Sequence, residues 1–298
     1  MAWSRLIRFA DDAGRTAFGD PCIDNAEDLV ALLNRGELYA IELAGNDAFA
    51  LSNTGKRLKV KRLLGVLEQE DVAVFKCIGL NYVKHITESG RKPPPYPSLF
   101  MKPAPAIAAF DDNIRVPAIA QGKNLDYEGE LAVVIGRSGK NISKEDAISH
   151  IAGFASSNDV SARTWQRDPA YAGGVPQWSF AKSFDTFAPI GPMLVSPSVV
   201  GSADNLKLQT LVNGEVRQDS NTSDLLFGVA AIINFLSQGS TLQKGTIIMT
   251  GTPDGVVLGM PDPKPWLQEG DLVEVRIEQL GSCVNKVVYE PKGLESSL

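Results

Sequence analysis

Residues 128–135 join two glutamates to a continuous apolar run, and this combination limits how the chain can fold more than any other feature. An apolar run without polar alternation, here 131–135, is typical of a strand buried on both faces of a sheet. Residues two apart in a strand project from the same face, so Glu128 and Glu130 converge on one point. Either both carboxylates face solvent where the strand ends, or they are buried and a cation offsets their repulsion.

A third carboxylate, Asp159, lies at the end of another apolar segment in the sequence SSNDVSAR. With Glu128 and Glu130 it would complete a set of hard oxygen ligands, which selects Mg²⁺, Mn²⁺ or Ca²⁺ over Zn²⁺. These three residues are the candidate metal ligands.

The rest of the chain contains more short strands than helices. Strands are predicted over 6–9, 72–78, 247–249 and 272–277, a hairpin at Asn213-Gly214, helices over 26–34, 143–150 and 225–236, and a polar connection over 53–62. Strands and helices do not alternate strictly, so we predict a mixed α/β, β-rich fold rather than a doubly wound sheet. We place a boundary near residue 70, between a small N-terminal α/β domain (1–70) and a catalytic domain (71–298).

The two histidines of the chain differ in their surroundings. His150 ends a predicted helix, where an imidazole interacts favourably with the helix dipole, and we interpret it as structural. His85 is followed three residues later by Glu88, a spacing that brings the carboxylate within reach of the ring on a helical turn. Such a pair is either a general base oriented by a carboxylate or a surface His–Glu pair.

Two further features could bind an anion. Lys182 lies between aromatic and small residues in FAKSF, which indicates a half-buried ammonium group, either structural or available to a carboxylate or enolate oxygen. Thr252 lies in the TGTPDG turn after a predicted strand, where hydroxyls and backbone N–H groups could hold an anion. Turns of this composition are common, so the second signal is unspecific.

Composition favours small-molecule chemistry. The net charge is −6 with no long basic run, which provides no electrostatic basis for binding nucleic acid or an anionic membrane. No apolar run is long enough for a membrane span, and the first residues lack the apolar core of a secretory signal. The three cysteines are scattered, which fits a reducing compartment, and we expect a cytoplasmic protein. The Pro-rich run 93–97 leaves a non-enzymatic alternative, a metal-bound interaction module.

Five motifs resemble the fumarylacetoacetate hydrolase family, in the family's order and over roughly residues 72–288. They are GLNYVKHITESG, YEGELAVVIG, NDVSARTWQ, KSFDTFAPIGP and TGTPDGV. The resemblance implies a β-roll catalytic domain that is usually a homodimer. It also implies Mg²⁺ or Mn²⁺ bound by Glu128, Glu130 and Asp159.

The same resemblance implies a catalytic dyad of His85 and Glu88 on a mobile lid, which we place at about 82–97. Contacts to the substrate, or to the charge that develops on it, are implied for Lys182, Arg163, Gln166 and Thr252.

One departure from the family pattern narrows the expected function. The larger fumarylacetoacetases have a further acidic metal ligand shortly before the catalytic histidine, where this chain has Asn81. The chain therefore resembles the smaller acylpyruvase, oxaloacetate decarboxylase and isomerase members. In their shared chemistry a metal chelates a small anionic 2-oxo acid and stabilises its enolate. We expect C–C hydrolysis of a 2,4-dioxo acid, with oxaloacetate decarboxylation or isomerisation of a 2-oxo or 2-hydroxydienoic acid as alternatives.

Overall fold

The computed structural model describes residues 2–26 and 28–291. Within them lie a long sheet of eleven strands, a second sheet of five strands and two small sheets of two strands each. The strands are β1 (Arg5–Ala10), β2 (Thr16–Pro21), β3 (Tyr39–Ala44), β4 (Ser52–Lys59), β5 (Arg62–Leu64), β6 (Val74–Gly79), β7 (Ser98–Lys102), β8 (Ile107–Ala108), β9 (Ile114–Val116), β10 (Leu125–Asp126), β11 (Gly129–Ile135), β12 (Ile151–Asn158), β13 (Ser161–Ala162), β14 (Ala188–Pro189), β15 (Leu194–Val195), β16 (Lys207–Val212), β17 (Glu215–Asn221), β18 (Thr246–Met249), β19 (Leu272–Ile277) and β20 (Gly281–Tyr289).

The α-helices are short and lie between these strands. They are α1 (Asp28–Asn34), α2 (Val83–Glu88), α3 (Arg163–Arg167), α4 (Pro169–Ala172), α5 (Trp178–Lys182), α6 (Pro197–Val200) and α7 (Val229–Ser237). Single 3₁₀ turns occur at Gln69–Asp71, Ala104–Ala106, Ala118–Ala120, Ala147–His150, Thr222–Asp224 and Val257–Gly259. This content confirms the predicted mixed, β-rich fold class. None of the helices in the described part of the chain is long and apolar enough to cross a lipid bilayer.

Strand β11 lies inside the long sheet, whose order is β4-β3-β2-β1-β15-β12-β11-β18-β6-β7, with β5 beside β1. All seven residues of β11 are buried, as the apolar run predicts for a strand covered on both faces. The second sheet has the order β17-β16-β19-β20-β9, and β19 and β20 pack against β12. One apolar core, which includes Val133, Phe154 and Val275, joins the two sheets.

The N-terminal strands continue the long sheet. Arg5 and Leu6 of β1 pair with Val195 and Leu194 of β15. The proposed division into domains 1–70 and 71–298 stays a prediction. Residues 292–298 of the second domain and Glu27 of the helix predicted over 26–34 lie outside the described residues.

Three predictions of local structure are wrong. The stretch 53–62 is largely strand β4, which is polar because it forms the exposed edge of the long sheet. Over 143–150 only the turn Ala147–His150 is helical, because the chain must already enter β12 at Ile151. The helix predicted over 225–236 begins at Val229, because residues 226 and 227 donate their N–H groups to Asn81 instead of to a helix.

Candidate active site

Strand pairing brings the three candidate metal ligands together at one end of β11. Strands β11 and β12 are antiparallel neighbours, with Glu130 opposite Ser157. Asp159 directly follows β12, and its N–H donates to the carbonyl of Glu128 at 2.8 Å. One oxygen from each of Glu128, Glu130 and Asp159 lies within 4.8 Å of the other two, and all three residues are buried. The alternative in which both glutamates face solvent is therefore wrong.

Gly129 is required between the two glutamates because the second sheet approaches it closely. A Cβ atom at this position would lie 2.2 Å from Oγ1 of Thr210 on β16. Gln218 of β17 accepts the Gly129 N–H at 3.0 Å. The second sheet therefore packs directly on the Glu-Gly-Glu segment and holds both carboxylates in position.

Two buried lysines bind the carboxylates. The Lys182 ammonium lies 2.7 Å from Oε2 of Glu128 and 2.6 Å from Oδ2 of Asp159. The Lys102 ammonium donates to Oδ1 of Asp159 and to the carbonyl of Phe187, each at 2.6 Å. Both oxygens of Asp159 are thus held by a positive charge.

Arg163 connects Glu128 to a fourth buried carboxylate. Its Nη2 lies 2.6 Å from Oε1 of Glu128, and its Nε donates to Oδ2 of Asp126 at 2.8 Å. Asp126 also accepts the N–H groups of Val257 and Leu258, at 2.9 and 3.1 Å. Helix α3, the Glu-Gly-Glu segment and the turn Val257–Gly259 are therefore joined by one hydrogen-bonded network.

The cations are shared unevenly between the two glutamates. Burial raises the pKa of Glu128, but Lys182 and Arg163 outweigh this effect and hold the pKa at about 2. Glu130 has no ion-pair partner within residues 2–26 and 28–291, and its Oε2 accepts the N–H of Gly251 at 2.7 Å. Burial, followed by the neighbouring charges of Asp159 and Glu128, raises the pKa of Glu130 well above its ordinary value.

The cluster in the described part of the chain has an excess of negative charge. Its buried carboxylates are Asp126, Glu128, Glu130 and Asp159, and its buried cations are Lys102, Arg163 and Lys182. Glu130 is the carboxylate that none of these cations balances, and a divalent cation held there would favour its ionised form. All three triad ligands offer oxygen atoms, the donors that Mg²⁺ and Mn²⁺ prefer. The residues present therefore fit a divalent metal ion.

Replacing Lys102 tests how much burial of its ion pair with Asp159 matters for the stability of the protein. Lys102→Met is expected to reduce the free energy of unfolding of the metal-free protein by about 3–5 kcal/mol, because Asp159 would keep a buried charge with one partner fewer. The Lys244–Asp47 pair has the same N–O distance, 2.6 Å, but is about half exposed, and Lys244→Met should cost only about 0.2–1 kcal/mol. Denaturant titration measures the free energy of unfolding of both variants. If the two lose the same amount, burial does not determine the strength of the ion pair.

Helix α2 carries His85 and Glu88 at the spacing that the sequence predicted to form a pair. Nδ1 of His85 lies 3.2 Å from Oε2 of Glu88. The hydrogen bond to His85 holds the pKa of Glu88 below its ordinary value. Because Nδ1 faces Glu88, Nε2 is the ring nitrogen left to exchange a proton with another group.

Asn81 attaches the start of α2 to the rest of the fold. Its amide donates to the carbonyls of Thr250 at 2.7 Å and Phe227 at 3.1 Å, and its Oδ1 accepts the Phe227 N–H at 2.9 Å. An acidic residue here could not donate to the two carbonyls. This use of the side chain explains why Asn81 does not act as the additional acidic ligand of the larger fumarylacetoacetases.

Gly259 leaves room for the carboxylate of Glu88. A Cβ atom on Gly259 would lie 2.7 Å from Cδ and Oε1 of Glu88. We therefore expect Gly259→Ala to displace the dyad and to lower kcat about 10- to 100-fold without changing Mn²⁺ affinity. Gly228→Ala is the matched control, because a Cβ there meets nothing within 4 Å and its φ of −68° suits alanine. If both variants lose the same activity in a kinetic assay, contact with Glu88 is not the cause.

One cavity, open to solvent, connects these groups. Of the predicted site residues it is lined by His85, Glu128, Glu130, Arg163, Gln166, Lys182 and Thr252. Glu88 and Asp159 lie behind this lining, in contact with His85 and Lys182 respectively. The structure thus brings all nine predicted residues together, whereas their individual roles stay predictions.

Sequence reasoning missed four charged residues of the site, namely Asp126, Lys102, Arg91 and Arg167. For the first two a signal was present, since residues two apart in a strand share a face. Asp126 precedes Glu128 by two positions, and Lys102 follows the buried Phe100 by two. The two arginines carry no such signal, because tertiary folding alone brings them to the cavity.

Two features that the sequence singled out lie away from the cavity. Nδ1 of His150 lies 2.8 Å from the carbonyl of Arg137, in agreement with a structural role. Tyr96 of the Pro-rich run stacks on Phe235 of α7, with ring centroids 6.0 Å apart. The run therefore contacts its own chain, which weakens the interpretation as an interaction module.

The strand-rich fold and its carboxylate-lined cavity define an enzyme with a candidate divalent-metal site. Residues 75–288 match the family model described as fumarylacetoacetate (FAA) hydrolase C-terminal. The bovine mitochondrial oxaloacetate tautomerase is 45% identical over 212 residues, which cover 71% of this chain and 65% of that protein. The rat mitochondrial oxaloacetate tautomerase is 38% identical over 269 residues, covering 90% of this chain and 82% of that protein.

Solved structures agree with these matches. The 2-hydroxyhepta-2,4-diene-1,7-dioate isomerase from Mycobacterium marinum has a TM-score of 0.77 and 34% identity, covering 97% of this chain and 100% of that chain. The fumarylpyruvate hydrolase from Pseudomonas aeruginosa, in complex with Mn²⁺ and pyruvate, has a TM-score of 0.64 and 33% identity, covering 74% of this chain and 91% of that chain. The chain therefore belongs to the fumarylacetoacetate hydrolase family.

Proposed function

We propose that this protein is a divalent-metal-dependent tautomerase that interconverts the keto and enol forms of a small 2-oxo acid. The observation that carries the proposal is that His85, a proton-transfer group, lines the same cavity as the carboxylates Glu128 and Glu130. The oxaloacetate tautomerases of cattle and rat and the isomerase of Mycobacterium marinum support this type of reaction.

Glu128, Glu130 and Asp159 would hold Mg²⁺ or Mn²⁺. When bound, such a cation acts as a Lewis acid that polarises the 2-oxo group of the substrate. The three carboxylates lie together in one buried cluster, so with a cation held there the 2-oxo acid end of the substrate would face this side of the cavity.

His85 performs the proton transfer, and Lys182 stabilises the negative charge that develops on the substrate. Nε2 of His85 takes a proton from carbon 3 of the substrate and then gives it to the 2-oxo oxygen, so the C3–H bond breaks, an O–H bond forms, and the enol forms with no net gain or loss of protons. Glu88 orients the ring through Nδ1. The buried Lys182 ammonium provides a fixed positive charge while negative charge develops on the substrate oxygen.

A second candidate is hydrolysis of a C–C bond in a 2,4-dioxo acid of the acylpyruvate type. The fumarylpyruvate hydrolase of Pseudomonas aeruginosa favours it, and a His–Glu pair equally suits the activation of water. In this reaction His85 removes a proton from water, whose oxygen attacks the 4-oxo carbon of the substrate. The C3–C4 bond then breaks and releases a carboxylic acid and a pyruvate enolate, which takes up a proton. Oxaloacetate decarboxylation would reach the same enolate by loss of CO₂.

The test supplies Mg²⁺ or Mn²⁺ to metal-free protein and follows the ultraviolet absorbance of the oxaloacetate enol. We expect tautomerisation faster than the uncatalysed background, and only with metal. Pyruvate release from acetylpyruvate is measured beside it. Cleavage of acetylpyruvate without tautomerisation of oxaloacetate would replace the first candidate with the second, and no reaction with either compound would contradict both.

We also propose that the active form is a homodimer. Strand β7 ends the long sheet and exposes the apolar side chains of Leu99 and Met101. Val175 and Phe180, which are also exposed, line the same surface. Apolar patches and free strand edges of this kind are typical protein contact sites. Light scattering of the purified protein measures the mass, and a monomer at micromolar concentration would contradict the proposal.

A cytoplasmic location stays our proposal, supported by the composition alone. The bovine and rat relatives are named as mitochondrial proteins. Fluorescence imaging of the full-length tagged protein in its own cells would distinguish the two compartments.

A further inference from the structure

Two arginines without an acidic partner border the cavity. Arg91 follows α2 and Arg167 ends α3, and both line the cavity together with His85 and Lys182. Within residues 2–26 and 28–291 neither guanidinium takes part in an ion pair or a side-chain hydrogen bond. Both residues are exposed, which places them on the solvent side of the cavity.

The two arginines border one cavity, so their like charges act on each other there. Burial, followed by the charges of Arg91 and then Arg163, lowers the pKa of Arg167. Like charges that face one concave surface are unfavourable unless an anion lies between them. In a protein of net charge −6, two cavity-lining arginines without an ion-pair partner indicate a local anion site.

Helix geometry relates Arg167 to the carboxylate triad. Arg163 and Arg167 lie four residues apart, so their side chains share one face of α3 and their positions differ by about 6 Å along the axis. Arg163 contacts Glu128 of the triad, and Arg167 therefore lies one turn beyond it. A four-carbon acid spans about 4 Å between its end carbons. An acid whose 2-oxo end faces the triad would thus present its other end to Arg167.

We propose that Arg91 and Arg167 form a subsite for the second carboxylate of the substrate, which makes the substrate class a dicarboxylic 2-oxo acid. This inference rests on the proposed function. Guanidinium groups bind carboxylates with paired, charge-assisted hydrogen bonds. Because Arg91 belongs to the predicted lid segment and Arg167 to α3, the carboxylate would also connect the lid to the cavity wall.

The test compares oxaloacetate with 2-oxobutanoate, which has four carbons but a methyl group in place of the far carboxylate. Exchange of the hydrogens on carbon 3 with deuterated water is followed by NMR in the presence of Mg²⁺, with the uncatalysed rate subtracted. Arg91→Gln and Arg167→Gln should each lower kcat/KM for oxaloacetate about 10- to 100-fold, mainly through KM. The value for 2-oxobutanoate should not change.

Two controls separate the subsite from other effects. Lys92→Gln removes the same charge from an exposed position beside Arg91 that does not line the cavity, and it should keep wild-type kinetics. Oxalate, which has no far carboxylate once its two groups chelate the metal, should bind the arginine variants as it binds wild type.

The subsite is overturned if both substrates lose activity equally, if the ratio of the two kcat/KM values is unchanged, or if Lys92→Gln has the same effect. A wild-type protein that exchanges neither substrate contradicts the proposed function instead. In that case calorimetric binding of oxaloacetate decides about the subsite: weaker binding in Arg167→Gln than in Lys92→Gln supports it, and equal binding overturns it.

Discussion

Glu130→Gln should make the metal-free protein more stable and should weaken Mn²⁺ binding at least about 100-fold. Glu130 is the buried carboxylate without a cationic partner, so the neutral amide removes the free-energy cost of keeping this group protonated beside Glu128 and Asp159. The glutamine oxygen can still accept the N–H of Gly251. We expect the free energy of unfolding to rise by about 1–3 kcal/mol. Thermal unfolding without metal and calorimetry with Mn²⁺ measure the two effects.

The stability of the metal-free protein should also depend on pH, because of the same glutamate. The pKa of Glu130 is raised in the folded protein, so this group keeps a proton that the unfolded chain has released at the same pH. The free energy of unfolding of the metal-free protein therefore falls as the pH rises above 4.5, the ordinary value for glutamate. Glu130→Gln lacks this contribution, and its advantage over wild type should grow with pH.

Glu128→Gln provides the matched control. Glu128 is bound by Lys182 and Arg163, so its neutralisation leaves two buried cations with weaker partners. Metal affinity should fall in this variant too, but the metal-free protein should lose stability instead of gaining it. If the two variants change stability in the same direction, the assignment of the excess charge to Glu130 is wrong.

Replacing His85 with alanine should suppress tautomerisation, and any hydrolysis of acylpyruvates, about 10²–10⁴-fold. Both reactions need a base that removes a proton, from carbon 3 in one case and from water in the other. Oxaloacetate decarboxylation loses CO₂ instead of a proton and should fall much less. Rates for all three reactions must be measured on one preparation, together with Mg²⁺ affinity, which we expect to be unchanged.

His150→Ala is the control for this experiment, because it removes the other histidine of the chain at a site bonded to the Arg137 carbonyl. It should keep all three activities. An equal decrease of every reaction in His85→Ala would show that His85 contributes to substrate binding or lid closure in general. A dedicated role in proton transfer would then be excluded.

Local patterns predicted the parts of the fold that local interactions determine. The apolar run of β11 and the Asn213-Gly214 hairpin both have the predicted form, with φ values of 51° and 83° at the two turn residues. The start of α7 was missed because the N–H of Phe227 bonds to Asn81, 146 residues away. No short-range pattern records such a contact.

The candidate site also has a part that local spacing predicts and a part that only tertiary packing determines. Same-face spacing in a strand was sufficient to bring Glu128 and Glu130 together, and helical spacing was sufficient for His85 and Glu88. The cations that balance these carboxylates come from separate elements, such as Lys102 on β7 and Lys182 on α5. Their positions depend on how the sheet and helices pack, which residue spacing alone does not determine.

Asp126 holds the turn Val257–Gly259 through backbone N–H groups and not through side chains. These hydrogen bonds to the turn therefore do not depend on which side chain position 258 carries. Leu258, which lines the cavity, can be exchanged while the carboxylate network and the dyad stay in place. Selection among related acids could then evolve at this wall by single substitutions, without disturbing the groups that perform the proton transfer.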